Sequence, residues 1–346
     1  MRVHRETFLN ALEMVSPGLS QRDVLEQSGC FVFQDEKVYT FNDETACSFK
    51  SPLEGIKGAV QSEPLKAILH KLKDEQIEVS QNESEMVIRA KRQSSGIRME
   101  QKIELPIDNL ESPTKWKVLP SKFAEAVELV EGCASRDEAH FFLTCIHLHP
   151  KWIEAYDNYQ FARYRIALPL DGDTLVKQLS LKNIVKMGMT EFSESDHWLH
   201  FRNADKLMLS CRRYMDKYRN CNSIAKIKGQ RISLPKSLIE VTGRAEVFSV
   251  TDPNKENQIR IDLKPSLCIV RGEGQYGWYR GQRKIKYDGP ELSFMVKPQM
   301  IAELVKRHTE CEICENALKA EVGNFVFVTS LASTKSVDRM EKKEKK

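Results

Sequence analysis

The chain has 346 residues, too many for one ordinary core and enough for two or three domains. Apolar residues make up 41% and charged residues 29%, the balance of a soluble globular protein, and no apolar run approaches the roughly 20 residues of a membrane span. A formal charge of +4 is too small to point to nucleic acid by itself, and nine scattered cysteines argue for free thiols in a reducing compartment, read here as the cytoplasm.

The N-terminus, MRVHRETFLNALEM, has charges where a signal peptide would be apolar, so export is not expected. In chain order, a helix-like RETFLNALEMV (5–15) is followed by GCFVFQDEKVYTFN, whose period-2 pattern around a polar turn is that of an antiparallel hairpin. A second helix, PLKAILHKLKDE (64–75), precedes another alternating pair, IEVSQNESEMVIRA. After a turn-rich linker, PIDNLESPTKW (106–116), the series starts again: PSKFAEAVELVEG (120–132), FFLTCIHLHPKWIEAYDN, SLKNIVKMGMTE (180–191) and HWLHFRNADKLMLSC. A third round follows the linker from Cys221 to Gly229, with LPKSLIEVTGRAEVFS (234–249), QIRIDLKPSLCIV, KPQMIAELVKRHTE (297–310) and a final strand over 324–329.

The leading apolar residues of the first helices, Phe8, Phe123 and Leu238, recur at roughly 115-residue intervals, and the second helices keep nearly the same spacing. Two coincident periods predict three copies of one α+β domain, each with two helices on an antiparallel sheet, although the copies share no obvious sequence identity. The expected boundaries are 1–112, 113–228 and 229–332, followed by a lysine-rich tail, 333–346, without an apolar face.

Few segments look like chemistry. GEGQYG (272–277) fits GxGxxG, but the strand-like, basic WYRGQRKIKYDG behind it predicts a hairpin loop and not a dinucleotide site. Cys311 and Cys314 form a lone CxxC, and His147 and His149 alternate in a strand without a third ligand, so no metal or cofactor is expected. No nucleophile–base pairing or paired carboxylates appear, and an enzyme is not expected. The stretch IEAYDNYQFARYRIALPL (153–170) instead gathers four aromatic rings around a turn.

Positive charge collects on helices. The second helices carry Lys66, His70, Lys71 and Lys73, then Lys182 and Lys186, then Lys306 and Arg307; the first helices or their ends add Arg5, Arg22, Lys122, Lys236 and Arg244. Such residues normally mark a solvated helix face. Repeated in three equivalent domains, they would also form a sequence-independent phosphate track.

Three α+β copies with LPIDN after the first, RDEAHFFLTCIHLHPKWIEAYDNYQFARYRIALPL in the second, and GRAEVFSV, QIRIDL and YDGPELSFMVKPQMIAELV in the third resemble the bacterial DNA polymerase III beta subunit, the sliding clamp. The similarity runs in order from residue 1 to about 332. It implies a head-to-tail homodimer closing a six-domain ring around duplex DNA, with the basic residues above facing the DNA. Polymerase and clamp loader would dock a short peptide motif in a pocket between domains two and three.

Carried over by position, the resemblance places in that pocket His140 and Leu143 from the first hairpin strand, then Tyr156, Asn158, Tyr159, Gln160 and Phe161. Arg219, Ser223 and Ile224 come from the linker, Lys297 and Met300 from the last helix, and Val326, Val328, Thr329, Ser330 and Leu331 from the C-terminal strand. It implies a subunit interface of Val247 and Phe248 against a strand carrying Met99 and Ile103. Two departures stand out: the family's TDGHR turn reads YDNYQ here, and its MPMRL ending reads VTSLA. They fit a divergent clamp, as from a phage. An alternative keeps the clamp fold as a monomer that binds a polymerase, loader or host clamp without forming a ring.

Overall fold

The structure is a computed structural model, and it describes residues 1–20, 25–249, 257–314 and 316–333. The expected α+β alternation is present, with seven α-helices among the described residues. The three long first helices are α1 (Arg5–Val15), α3 (Phe123–Val130) and α6 (Leu238–Ser249). The second helices are α2 (Ser62–Lys71), α4 (Gln178–Lys186) and α7 (Pro298–Arg307), while α5 (Asn222–Ala225) is one short turn.

The repeat is visible in which residues each first helix buries. Phe8, Ala11, Leu12 and Val15 in α1 correspond to Phe123, Ala126, Val127 and Val130 in α3, and to Leu238, Val241, Thr242 and Ala245 in α6. An i, i+3, i+4, i+7 stripe faces one side of a helix with 3.6 residues per turn, so the same face is covered each time. Thr242 is the one polar member of the stripe, and its hydroxyl donates to the Leu238 carbonyl at 2.9 Å. First and second helices pack in pairs, α1 with α2, α3 with α4, and α6 with α7.

The chain divides into two compact units. The first comprises 1–131, 136–153 and 166–218, and is built on a twelve-stranded sheet. In that sheet Thr45–Lys50 pairs antiparallel with Met208–Arg212, so strands from the first and second copies are joined edge to edge. Cys30, Val32, Phe41, Ala46, Ala59, Leu105 and Trp198 form a core cluster against which Ile103 and, from the linker, Ile107 and Leu110 also pack. The linker is held further by Glu111, whose carboxylate accepts the backbone N–H of His197 at 2.9 Å and contacts its ring Nδ1 at 2.6 Å. Burial alone would raise the Glu111 pKa, but these contacts and the Ser195 hydroxyl pull it down to about 2.

Beneath this strap His200 is fully buried, with Nε2 3.0 Å from the Ser195 hydroxyl and Nδ1 2.8 Å from that of Ser210. Burial lowers its pKa from 6.5 to about 4. The unfolded chain therefore binds this proton first as pH falls, and the first unit should lose about 3 kcal/mol of stability between pH 6.5 and 4. Denaturation midpoints across that range should show the decline, and His200→Gln should flatten it; an equally steep decline in the variant would assign it elsewhere.

The second unit comprises 132–135, 154–165 and the chain from Arg219 onward. Five strands of an eight-stranded sheet lie in it, in the order Gln160–Arg165, Phe325–Ser330, Ala317–Val322, Glu310–Cys314 and Gln230–Ser233. Its other sheet has five strands, beginning at the edge with Gly277–Lys284, then Leu267–Gly274, Ile259–Lys264, Leu292–Val296 and Ala332–Ser333. Ser333, expected to open the tail, pairs instead with Phe294; residues 334–346 lie outside the described residues.

The GEGQYG segment is a β-hairpin, with Gly274 opposite Gly277. Its glycines have structural reasons: a Cβ on Gly272 would stand 1.9 Å from the Ala245 carbonyl oxygen of α6, and Gly277 has φ +143°. Cys311 and Cys314 sit three apart in one strand, so their side chains leave opposite faces and cannot share a ligand. Among the described residues no three His, Cys, Asp or Glu side chains come together as metal ligands, and no helix is long and apolar enough to cross a membrane.

Candidate functional site

Most residues expected in the partner pocket converge within the second unit. Asp157 initiates a tight turn by accepting the backbone N–H groups of Tyr159 and Gln160, both at 2.7 Å. Asp and Asn side chains favour such turns because they mimic a backbone acceptor. The turn puts Asn158 at the tip and feeds Gln160–Arg165 into register with the C-terminal strand, Gln160 opposite Thr329 and Phe161 opposite Val328. The Tyr159 carbonyl accepts the N–H of Ser330 at 2.7 Å, tying the turn to the end of the chain.

The floor of this site is apolar and closed. Tyr156, Phe161, Val326, Val328, Met300 and Leu331 are all buried, and the Thr329 hydroxyl lies 2.9 Å from the Met300 sulfur. Of the aromatic residues expected to wall the pocket, only Tyr159 reaches the surface, at 40% exposure. The Lys297 ammonium stands 4.2 Å from its ring centroid, a cation–π contact that spans the site from the start of α7. Asn158, Arg219, Ser223 and Ser330 supply an exposed polar rim, with Ile224 half-buried beside them.

Sequence reasoning missed what holds that rim. Glu154 and Arg163, on neighbouring strands, form a buried ion pair with N···O of 2.6 Å and side-chain exposures of 3% and 9%. Arg163 also donates to the Asn222 side-chain oxygen at 2.8 Å, anchoring α5, which carries Ser223 and Ile224. The signal available was a charged pair inside an otherwise apolar, alternating segment.

His140 and Leu143 depart from expectation. Neither lies in the first hairpin strand, which is Cys145–His149. Leu143 is buried in a 3-10 turn, Phe141–Thr144, held by the Thr144 hydroxyl donating to the Phe141 carbonyl at 2.7 Å, and His140 precedes it. Both belong to the first unit.

Expected DNA-facing residues fall on the paired helices or just outside their ends, where Lys73, expected on the second helix, lies beyond α2 and Lys122 and Lys236 precede α3 and α6, but many are partnered. Lys66 pairs with Glu63, Lys122 with Glu125, Lys182 with Glu131, Arg244 with Glu240 and Lys306 with Glu303. Arg5 donates to the Leu69 carbonyl at 3.1 Å and to Glu6. Lys71, Lys73, Lys186 and Lys236 are exposed without a carboxylate partner among the described residues. Lys66, His70 and Lys186 line a cleft of about 700 Å³ in the first unit, together with Asn10, Glu13 and Met14. Arg22 lies outside the described residues, as does the Arg307 side chain.

The expected interface residues divide. Val247 is 71% exposed at the end of α6, and Phe248 is half-buried, its ring 3.3 Å from where a Cβ on Gly277 would stand. Met99 is buried inside the first unit, and Ile103 packs on that unit's core cluster, so neither presents an open apolar face.

Solved structures of DNA polymerase III beta chains match nearly the whole chain. The protein from Streptococcus pneumoniae superimposes with a TM-score of 0.82 at 13% identity, over 96% of this chain and 99% of that one. A sliding clamp from Pseudomonas aeruginosa (TM-score 0.81, 12% identity, 96% and 98% covered) and the DNA polymerase III beta subunit from Thermotoga maritima (0.81, 15%, 95% and 98%) agree. The chain has the sliding-clamp fold. No protein family matches it by sequence, and no curated protein does either. At such low identity the clamp fold is shared while most of its side chains are not.

Proposed function

We propose that the protein is a non-enzymatic processivity factor for DNA replication. Three clamp domains, 1–112, 113–228 and 229–332, would pair head to tail with a second copy into a ring that encircles duplex DNA. The observation that carries this reading is the clamp fold over 96% of the chain, with three helix pairs that bury one common stripe. Within the first unit, two copies are already joined strand to strand, the device that would close the ring.

Helices would face the DNA with Lys71, Lys73, Lys186 and Lys236 as the uncompensated phosphate contacts, and paired lysines would exchange their carboxylates for phosphates in passing. Loose, non-specific contact suits sliding. The rim of Tyr159, Lys297, Arg219 and Ser330 over a filled apolar floor would receive a short peptide from a polymerase or loader, with Tyr159 moving off Lys297 to admit it.

Light scattering across micromolar concentrations tests the ring: a mass near twice 39.9 kDa is expected. The complex should also stay on a nicked circular plasmid in high salt once loaded and run off when the plasmid is cut. A mass of one chain at all concentrations, with no retention on circles, would favour the monomeric partner-binding regulator.

A further inference from the structure

The five-stranded sheet has one face against α6 and one face open. On the open face three arginines stand directly across from one another on adjacent strands: Arg260 opposite Arg271, and Arg271 opposite Arg280. Like charges in directly opposed positions destabilise a sheet. Asp262 offsets the first two, contacting Arg260 at 2.9 Å and Arg271 at 3.3 Å. Arg280 has no carboxylate partner among the described residues, and the row keeps a net positive charge.

Aromatic surface lies beside this row. Trp278 is two residues from Arg280 on the edge strand, hence on the same face, and is 71% exposed; Tyr276, in the adjoining turn, is 84% exposed. Lys284 continues that face and is exposed and unpaired among the described residues. Alternate residues of a strand are about 7 Å apart. The turn and strand thus offer, in order, Tyr276, Trp278, Arg280, Gln282 and Lys284 along one face, with a single carboxylate, Glu273, directly opposite Trp278.

We propose that this open face docks single-stranded nucleic acid, with unstacked bases on Trp278 and Tyr276 and phosphates across Arg271, Arg280 and Lys284. Exposed rings beside a cationic row match a strand whose bases are free to stack, a recognition that tolerates any sequence. An acidic peptide would use the cations and leave the rings idle, and a duplex would hide its bases. The strip lies on a different face from the proposed DNA-facing helices, and it uses side chains of the open face where a second copy would meet the backbone edge of the same strand; a short linear oligonucleotide gives a ring nothing to encircle.

The test is fluorescence anisotropy of the full chain with labelled 12-mers of deoxythymidine and of uridine, read alongside quenching of tryptophan emission. Binding of either is expected, with Trp278→Ala weakening it about tenfold or more. Arg280→Ala with Lys284→Ala should reduce the slope of log affinity against log salt by about 1.4. Both sites are on the open face of an edge strand, and circular dichroism checks that the variants stay folded. No binding, strip variants that bind unchanged, equal binding of a 12-bp duplex, or equal displacement by polyglutamate would each overturn the proposal. A lower solution mass for Trp278→Ala would also overturn it, assigning the ring to contact between copies.

Discussion

Glu154→Ala should destabilise the second unit by about 3–5 kcal/mol, the usual cost of stranding one member of a buried ion pair. The size follows from burial: with Glu154 gone, the Arg163 guanidinium, 9% exposed, keeps its charge in a site that water hardly reaches. Its bond to the neutral Asn222 amide cannot replace the lost carboxylate charge. Replacing both partners by apolar residues, Glu154→Leu with Arg163→Met, should recover most of the loss, because the desolvation cost disappears with the charges. That double variant would still lack the tie to Asn222. It should therefore fold normally and yet bind a partner peptide more weakly, since α5 with Ser223 and Ile224 is no longer anchored. Denaturant titration of the three proteins checks the first part and peptide titration the second. A loss below 1 kcal/mol for Glu154→Ala would mean that the arginine finds solvent or another acceptor.

The contrast between this pair and the helices shows what was legible in the sequence. Helical period alone identifies Phe8, Phe123 and Leu238 as equivalent, and the structure buries all three in the same stripe. Strand alternation likewise locates the hairpins, including the one through GEGQYG. It cannot say which face of 154–165 is covered, because the covering strand, Phe325–Ser330, arrives from the far end of the chain. Tyr156 and Phe161, expected to line the pocket, are therefore buried in the core. Met99 is core for the same reason: a two-residue period gives two faces, and only tertiary packing decides which one water reaches. His140 and Leu143 were misplaced by local chemistry, a threonine hydroxyl that bonds back to the chain and delays the strand.

Val247→Ala with Phe248→Ala should weaken dimerisation by about 3 kcal/mol, roughly a hundredfold in the dissociation constant. Val247 is large, apolar and open, and Phe248 lies against the hairpin that begins the edge strand Gly277–Lys284. Among the described residues that strand has a neighbour on one side only. In the first unit, Gln93–Arg98 pair with Glu85–Ala90, but on the strand's other side only Met99 and Glu100 are paired among the described residues, leaving 93–98 open there. Exposed edges invite pairing with another chain. In the proposed ring each open edge would find the other kind on the second copy, with Val247 and Phe248 closing over the join. Met99→Ala supplies the contrast: Met99 is core, so that change should cost about 2–5 kcal/mol of first-unit stability before it reaches the dimer. Sedimentation over a concentration series, paired with denaturant titration, separates the two effects. If the double variant dissociates no more readily than the unmodified chain, the copies do not meet through α6 and its hairpin, and the two open edges would need another occupant.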